Sequence, residues 1–137
     1  MLLSIIATLG FNIILSSTPA KDCGHPNTII SGCYFIGTKD IILGVKDEFL
    51  ESHEVGHATG LDVDRDVRRV IDKHIAIRKI DPSLYPTPEL REREKIADWF
   101  AFYLTNEMGA RKLGVFQEDY PDIDKIFDIK IKELLNK

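Results

Sequence analysis

Two histidines flank a glutamate in the sequence HEVGH, which occupies residues 53–57. On a helix, side chains four positions apart lie on one face, about 5 to 6 Å apart at Cβ, so His53 and His57 can direct imidazole nitrogens at a single ion. Neutral imidazole is a good zinc ligand. Glu54 can stay outside the coordination shell and act as a general base on a water molecule. The motif predicts a hydrolytic zinc site; the alternative is a pair of surface histidines on an amphipathic helix.

Gly56, inside the same motif, is an unfavourable residue for the middle of a helix. Glycine there costs about 1 kcal/mol relative to alanine and needs a compensating reason. Close approach of another part of the backbone is one such reason.

A catalytic zinc site takes three protein ligands and leaves a fourth position for water, so HEVGH needs a further ligand. In the pattern H-E-x-x-H-x-x-G-x-x-H, Gly60 fits, but the third ligand would fall on Val63, which cannot bind zinc. Asp62 and Asp64 flank that position in the wrong register. The third ligand is therefore expected elsewhere in the chain.

The segment EREKIADWFAFYL, residues 92–104, offers carboxylates on a later helix. Glu94 and Asp98 are four positions apart, so they lie on one side of that helix. Glu94 would complete a His/His/Glu site, and Asp98 could accept the free imidazole N–H of a ligand histidine and thereby select its tautomer. Glu92 is the alternative ligand, although it lacks a partner one turn later. Taken alone, Glu94 and Asp98 would be an ordinary solvated helix flank.

The remaining pattern predicts an α+β fold within one domain of 137 residues, with a small β-sheet packed on the HExxH helix. We expect an amino-terminal helix and strands over about 1–46, including a buried strand at FNIIL and two neighbouring strands at TIISGCYF and DIILGV. Helices should follow over about 48–59, 62–79, 88–107 and 122–135. Asp47 and Gly60 should begin and end the first of these, and Gly109 should follow the third.

At this point the residues resemble the ImmA/IrrE family of small zinc peptidases, which carry H-E-x-G-H and, downstream, E-x-x-A-(N/D)-x-F-A-x-x-L. The sequences HEVGH and EKIADWFAFYL match this pair, and the similarity covers residues 1 to about 105. The resemblance implies a metal-dependent peptidase with a minimal gluzincin-like core. It implies one zinc ion bound by His53, His57 and Glu94, with Glu54 as the catalytic glutamate. By analogy, the substrate would be a protein such as a helix-turn-helix transcriptional repressor.

A further donor should stabilise the oxyanion that forms during peptide hydrolysis, and His74, Tyr85 and Tyr103 are the candidates. His74 lies on the apolar face of the predicted second helix, which favours a core role. Tyr103 belongs to the apolar stripe of the third helix, whereas Tyr85 is in a loop. A rival interpretation of the whole chain is a metal-binding regulatory or interaction module that cleaves nothing.

The first twenty residues admit two interpretations. They could be a secretory signal cleaved after Ala20, but they contain no Lys or Arg and their apolar run is interrupted by polar residues. They are also too short and broken to form a transmembrane anchor. We favour a structural role and a cytoplasmic protein. The alternative is a secreted mini-metalloprotease with a Cys23–Cys33 disulfide. The formal net charge of −4 gives no general attraction to nucleic acid.

Overall fold

The computed structural model describes residues 1–24, 30–107 and 120–136. Within these residues the chain forms a three-stranded sheet and six α-helices, which confirms the α+β class. In chain order the elements are α1 (Leu2–Leu9), β1 (Asn12–Leu15), α2 (Pro19–Asp22), β2 (Gly32–Phe35), β3 (Asp40–Leu43), α3 (Glu48–Ala58), a 3₁₀ turn (Leu61–Val63), α4 (Arg65–Ile71), α5 (Pro88–Glu107) and α6 (Pro121–Leu135).

The amino-terminal segment forms the predicted helix and strand. Leu2 and Ile5 of α1 are buried in the core. The helix ends at Gly10, whose φ of 75° is a left-handed conformation that glycine adopts without steric cost. The prediction that the following strand is buried is wrong, because β1 lies at the edge of the sheet and its Ile14 and Leu15 are 41% and 59% exposed.

The sheet has the strand order β1-β3-β2, with β1 parallel and β2 antiparallel to the central strand β3. The side chains of Ile41 and Leu43 on β3 are fully buried. Because β2 comes last in this strand order, it is the second edge of the sheet. Its first residue, Gly32, lies opposite Leu43. A disulfide joins Cys23, just after α2, to Cys33 on β2. The two predicted neighbouring strands are confirmed.

Helix α3 carries the HEVGH motif and has the predicted limits. At its start, the Asp47 carboxylate accepts a hydrogen bond from the backbone N–H of Leu50 at 2.8 Å, which satisfies one of the unpaired donors of the first turn. At its end, Gly60 adopts a φ of 79°, and this left-handed residue reverses the chain.

Helix α5 packs directly across α3 at Gly56. A Cβ atom added to Gly56 would lie 3.4 Å from the Cα of Ala97 and 3.0 Å from the Phe100 ring. The glycine therefore lets the two helices approach closely, which offsets its low helix propensity. This contact brings the amino-terminal half of α5 alongside the histidines of α3.

Replacing Gly56 by valine is expected to destabilise the protein by about 1 to 3 kcal/mol, because the larger side chain would overpack the contact between α3 and α5. Urea denaturation of the metal-free protein measures this change. Gly37 is the matched control position, since a Cβ there would meet nothing within 4 Å. Equal effects of the two valine substitutions would contradict a specific role for the close helix contact.

The predicted second helix, over about 62–79, is wrong at both ends. A 3₁₀ turn precedes α4, and α4 itself ends at Ile71. Beyond it, the His74 side chain contacts Asp122 of α6 at 2.7 Å, and the Trp99 indole donates to the backbone carbonyl of Ile75 at 3.0 Å. These tertiary contacts take the place of further helical turns. The Ile75 side chain, predicted to face the core, is 85% exposed.

The third and fourth predicted helices correspond to α5 and α6. Thr87 caps α5 by accepting a hydrogen bond from the backbone N–H of Leu90 at 3.2 Å, and α6 buries Ile123, Phe127 and Ile131. The glycine expected after the third helix, Gly109, lies outside the described residues. In the part of the chain that the structure describes, no helix is both long and apolar enough to cross a membrane.

Candidate metal centre

His53, His57 and Glu94 form a compact group of possible metal ligands at the contact between α3 and α5. One ligand atom from each side chain lies within 4.8 Å of the other two. The two histidine Nε2 atoms are 3.1 Å apart, and the Glu94 carboxylate oxygens lie 3.3 Å from His53 Nε2 and 2.5 Å from His57 Nε2. His53 and Glu94 are each 6% exposed. These three side chains can hold a metal ion.

The spacing of these atoms suits one small ion. Tetrahedral ligands about 2.0 to 2.1 Å from a common centre are about 3.3 Å apart, close to the 3.1 and 3.3 Å observed for two of the three pairs. The third pair, His57 and Glu94, is closer at 2.5 Å because the two atoms share a hydrogen bond. Only small side-chain movements are needed to place all three around an ion.

Each histidine contacts a second carboxylate through its other ring nitrogen. The Nδ1 atom of His53 lies 2.7 Å from Asp98, and the Nδ1 atom of His57 lies 2.7 Å from Asp62. Both aspartates are 1% exposed. In the neutral imidazole, a proton held on Nδ1 by the carboxylate leaves the Nε2 lone pair free for a metal. The structure thus directs both Nε2 atoms toward Glu94 and the shared site.

Asp62 is a site residue that the sequence analysis missed. It was considered only as a metal ligand in a pattern whose register it does not fit. In the structure, the left-handed Gly60 turns the chain back, so Asp62 in the 3₁₀ turn reaches the His57 ring from behind. Val63, the next residue, points outward and is 55% exposed. The sequence did contain a signal for this role: Gly60, which can end a helix, is followed two positions later by the acidic Asp62, shortly after the second histidine.

Two arginines complete the site by contacting these aspartates. Arg78 Nε lies 2.8 Å from Asp98, and Arg93 Nε lies 2.9 Å from Asp62. Arg78 also donates a hydrogen bond to Glu94 at 3.4 Å. Because each buried aspartate lies between an arginine and a histidine, its charge is compensated on both sides.

The carboxylates around the histidines raise the pKa of both imidazoles. Burial by itself lowers the pKa of His53, but the hydrogen bonds to Asp98 and Glu94 outweigh it and raise that pKa to about 9. For His57, burial is likewise outweighed by Asp62 and Glu94, and the pKa is raised to about 10. Burial raises the pKa of Glu94, yet the hydrogen bonds from both histidines bring it well below its ordinary value.

These pKa values predict that metal affinity increases with pH. A metal ion binds neutral imidazole. At about pH 7, which is below the pKa of about 9 for His53 and about 10 for His57, binding must displace protons from the rings. The apparent affinity should therefore rise roughly ten- to hundredfold per pH unit between about pH 6 and 8, for one or two protons released. Competition with a chelator at several pH values measures this slope. A pH-independent affinity would show that the rings are already neutral.

Two of the three ligands, His53 and Glu94, line a cleft of about 640 Å³. The lining also includes residues 30–32 at the start of β2 and part of segment 78–85. Glu54 also lines the cleft and is 6% exposed. Burial raises the pKa of its carboxyl group.

The three candidate oxyanion donors differ in their position relative to the cleft. Tyr85 lines the cleft, and burial and the nearby charge of Glu94 raise the pKa of its phenol. His74 instead contacts Asp122 and packs against the Trp99 and Tyr120 rings. Tyr103 is 6% exposed and is hydrogen-bonded to Asp128 of α6. Neither of these two lines the cleft.

Glu92, the alternative third ligand, faces a different neighbour. It lies two residues before Glu94 on α5, near Asp72. Burial and the neighbouring Asp72 carboxyl group raise the pKa of Glu92 to about 7. It does not belong to the group of possible metal ligands found among the described residues.

Comparisons with protein-family models, with curated proteins and with solved structures found no match to this chain. The chemistry of the site therefore carries the functional interpretation.

Proposed function

We propose that the protein is a zinc-dependent peptidase. The observation that carries this proposal is the compact group of His53, His57 and Glu94, of which His53 and Glu94 line the same cleft as Glu54. Two imidazoles and a carboxylate form one of the ligand sets that catalytic zinc uses, with a remaining position for water or substrate. Bound zinc would acidify a water molecule and polarise the carbonyl group of the substrate.

Glu54 is the general base in this proposal. Its position next to His53 places it at the metal centre without using it as a ligand. A buried carboxylate with a raised pKa is suited to take a proton from the attacking water and to deliver it to the leaving amine.

Tyr85 is the proposed donor to the oxyanion. Negative charge develops on the carbonyl oxygen of the scissile peptide bond, and a nearby hydroxyl group stabilises it. Of the three sequence candidates, Tyr85 is the one that lines the cleft, near Glu94. Its carbonyl is held by Arg91 at 2.9 Å, which anchors the loop on which it lies.

The substrate is proposed to be an extended segment of a protein. The start of β2 lines the cleft, and β2 is an edge strand of the sheet. An extended peptide can add to such an edge through backbone hydrogen bonds. The resemblance to the ImmA/IrrE family suggests a helix-turn-helix repressor as the substrate, by analogy with that family.

The test is cleavage of peptides by the zinc-loaded protein. A pool of internally quenched peptides with randomised sequences should be hydrolysed, and a purified helix-turn-helix repressor should be cut at a defined bond. Removal of the metal by a chelator should abolish both activities, and added zinc should restore them. A stoichiometric zinc protein that cleaves neither the pool nor the repressor would support the rival interpretation, a metal-binding regulatory module.

A cytoplasmic location is a further part of the proposal. It is supported by α1 and β1, because cleavage after Ala20 would remove Leu2 and Ile5 from the core. The Cys23–Cys33 disulfide supports the alternative, a secreted protein, since such bonds persist mainly in oxidising compartments. Mass spectrometry of the alkylated protein from cells separates the two. A chain that begins at Lys21 and contains no free thiol would establish the secreted form.

A further inference from the structure

Arg78 is a charged side chain of the cleft that the proposed mechanism does not use. Its guanidinium is held from the inner side by the ion pair with Asp98 at 2.8 Å and by the hydrogen bond to Glu94 at 3.4 Å. The side chain is still 45% exposed and lines the cleft. A guanidinium group has five N–H donors, so donors remain on its exposed side for a bound molecule.

Arg93 provides a natural comparison. It makes the same kind of contact, with Asp62 at 2.9 Å, and its side chain is 39% exposed. It does not line the cleft. Both arginines therefore support a histidine through an aspartate, Asp98 or Asp62, but of the two only Arg78 lines the space that a substrate would occupy.

The charges around Arg78 favour a neutral partner over an anionic one. Its positive charge is already opposed by Asp98 and Glu94. The cleft also contains Asp47 and Asp81, against a single further cation, Lys79. A carboxylate of a ligand would meet this excess of negative charge, whereas a peptide carbonyl would not.

An extended peptide in the cleft needs hydrogen-bond donors for the carbonyl groups that β2 does not pair. The carbonyl groups of an extended chain point alternately to its two sides. β2 can satisfy one side by strand addition. Carbonyls on the other side lose water when the peptide enters the cleft, and leaving them unpaired is unfavourable. Arg78 is a donor that lines the cleft.

We propose that Arg78 binds the substrate backbone by donating a hydrogen bond to a carbonyl oxygen on the side of the peptide away from β2. This inference rests on the proposed peptidase function. It makes Arg78 a substrate-binding residue in addition to the partner of Asp98.

The experiment compares Arg78→Gln with Arg93→Gln, both in the Glu54→Gln background so that the peptide is bound and not cut. The probe is the best-cleaved sequence from the quenched peptide pool, labelled with fluorescein and followed by anisotropy. With zinc added to saturate both variants, Arg78→Gln should weaken peptide binding at least tenfold more than Arg93→Gln does, about 1.4 kcal/mol. The zinc affinities of the two variants, measured separately by chelator competition, should both fall, because each loses one arginine–aspartate pair.

Thioamide substitution in the peptide identifies the contact itself. A thiocarbonyl is a weaker hydrogen-bond acceptor, so one thioamide position should weaken binding when Arg78 is present and have no effect on Arg78→Gln, in the manner of a double-mutant cycle. Equal peptide affinities of the two arginine variants would overturn the inference and leave Arg78 only as the partner of Asp98. If the wild-type protein cleaves neither the pool nor the repressor, the proposed function fails, and the inference falls with it.

Discussion

Alanine in place of Glu94 is expected to lower the zinc affinity about a thousandfold or more, roughly 4 kcal/mol. Glu94 contributes the only carboxylate of the ligand group and contacts both histidine Nε2 atoms, at 3.3 and 2.5 Å. Without it, two neutral imidazoles remain, which is fewer protein ligands than a stable zinc site uses. Competition with a chromophoric chelator at neutral pH measures the loss, and metal analysis of the purified variant should find less than stoichiometric zinc.

Glu92→Ala is the matched control for this substitution. It removes the same type of side chain from the same helix, two residues earlier, but Glu92 lies near Asp72 and does not belong to the group of possible metal ligands. We expect this variant to bind zinc as the wild type does. If Glu94→Ala bound zinc with normal affinity, the third ligand would be a residue other than Glu94. Equal losses in both variants would point to a general weakening of α5.

The second large effect is expected for Glu54→Gln, which should lower kcat for peptide cleavage by about 10²- to 10⁴-fold while the zinc content stays the same. Glutamine has nearly the same shape but cannot accept the proton of the attacking water. Because Glu54 is 6% exposed and does not belong to the ligand group, its replacement should leave the three ligands in place. Steady-state kinetics on the best-cleaved peptide, together with zinc analysis of the same preparation, checks both parts.

Glu51→Gln is a suitable control, since Glu51 lies one turn earlier on α3 and burial also raises the pKa of its carboxyl group. Glu51 does not line the cleft, so its variant should cleave normally. Unchanged cleavage by Glu54→Gln would remove the general base from the proposal and leave the metal centre intact. Loss of zinc together with activity would instead show that Glu54 supports the ligands.

Features set by neighbouring residues were predictable from the sequence. Asp47 begins α3 because its carboxylate can cap the helix, and Gly60 follows the end of that helix because it tolerates a left-handed backbone. The start of α5 followed from the same kind of signal, because Thr87 can cap it, whereas α6 followed from its apolar periodicity. The spacing of His53 and His57 placed both rings on one face, since helix geometry alone determines that arrangement.

Features that depend on distant contacts were predicted less well. Apolar periodicity extended the second helix to about residue 79, but contacts of His74 and of the Ile75 carbonyl with other elements end it at Ile71. FNIIL was expected to be buried, yet an edge position leaves much of β1 exposed. Neither outcome can be read from local spacing, because each depends on which element packs alongside.

The sequence by itself therefore determined the chemistry of the site: two imidazoles on one helix face, a glutamate beside them, and a candidate third ligand on a later helix. Only the tertiary structure decided which further groups surround them. The close contact at Gly56 and Ala97 brings Glu94 to the histidines. The turn at Gly60 and the path of the chain after α4 bring in Asp62 and Arg78, whose positions depend on packing between segments far apart in the sequence.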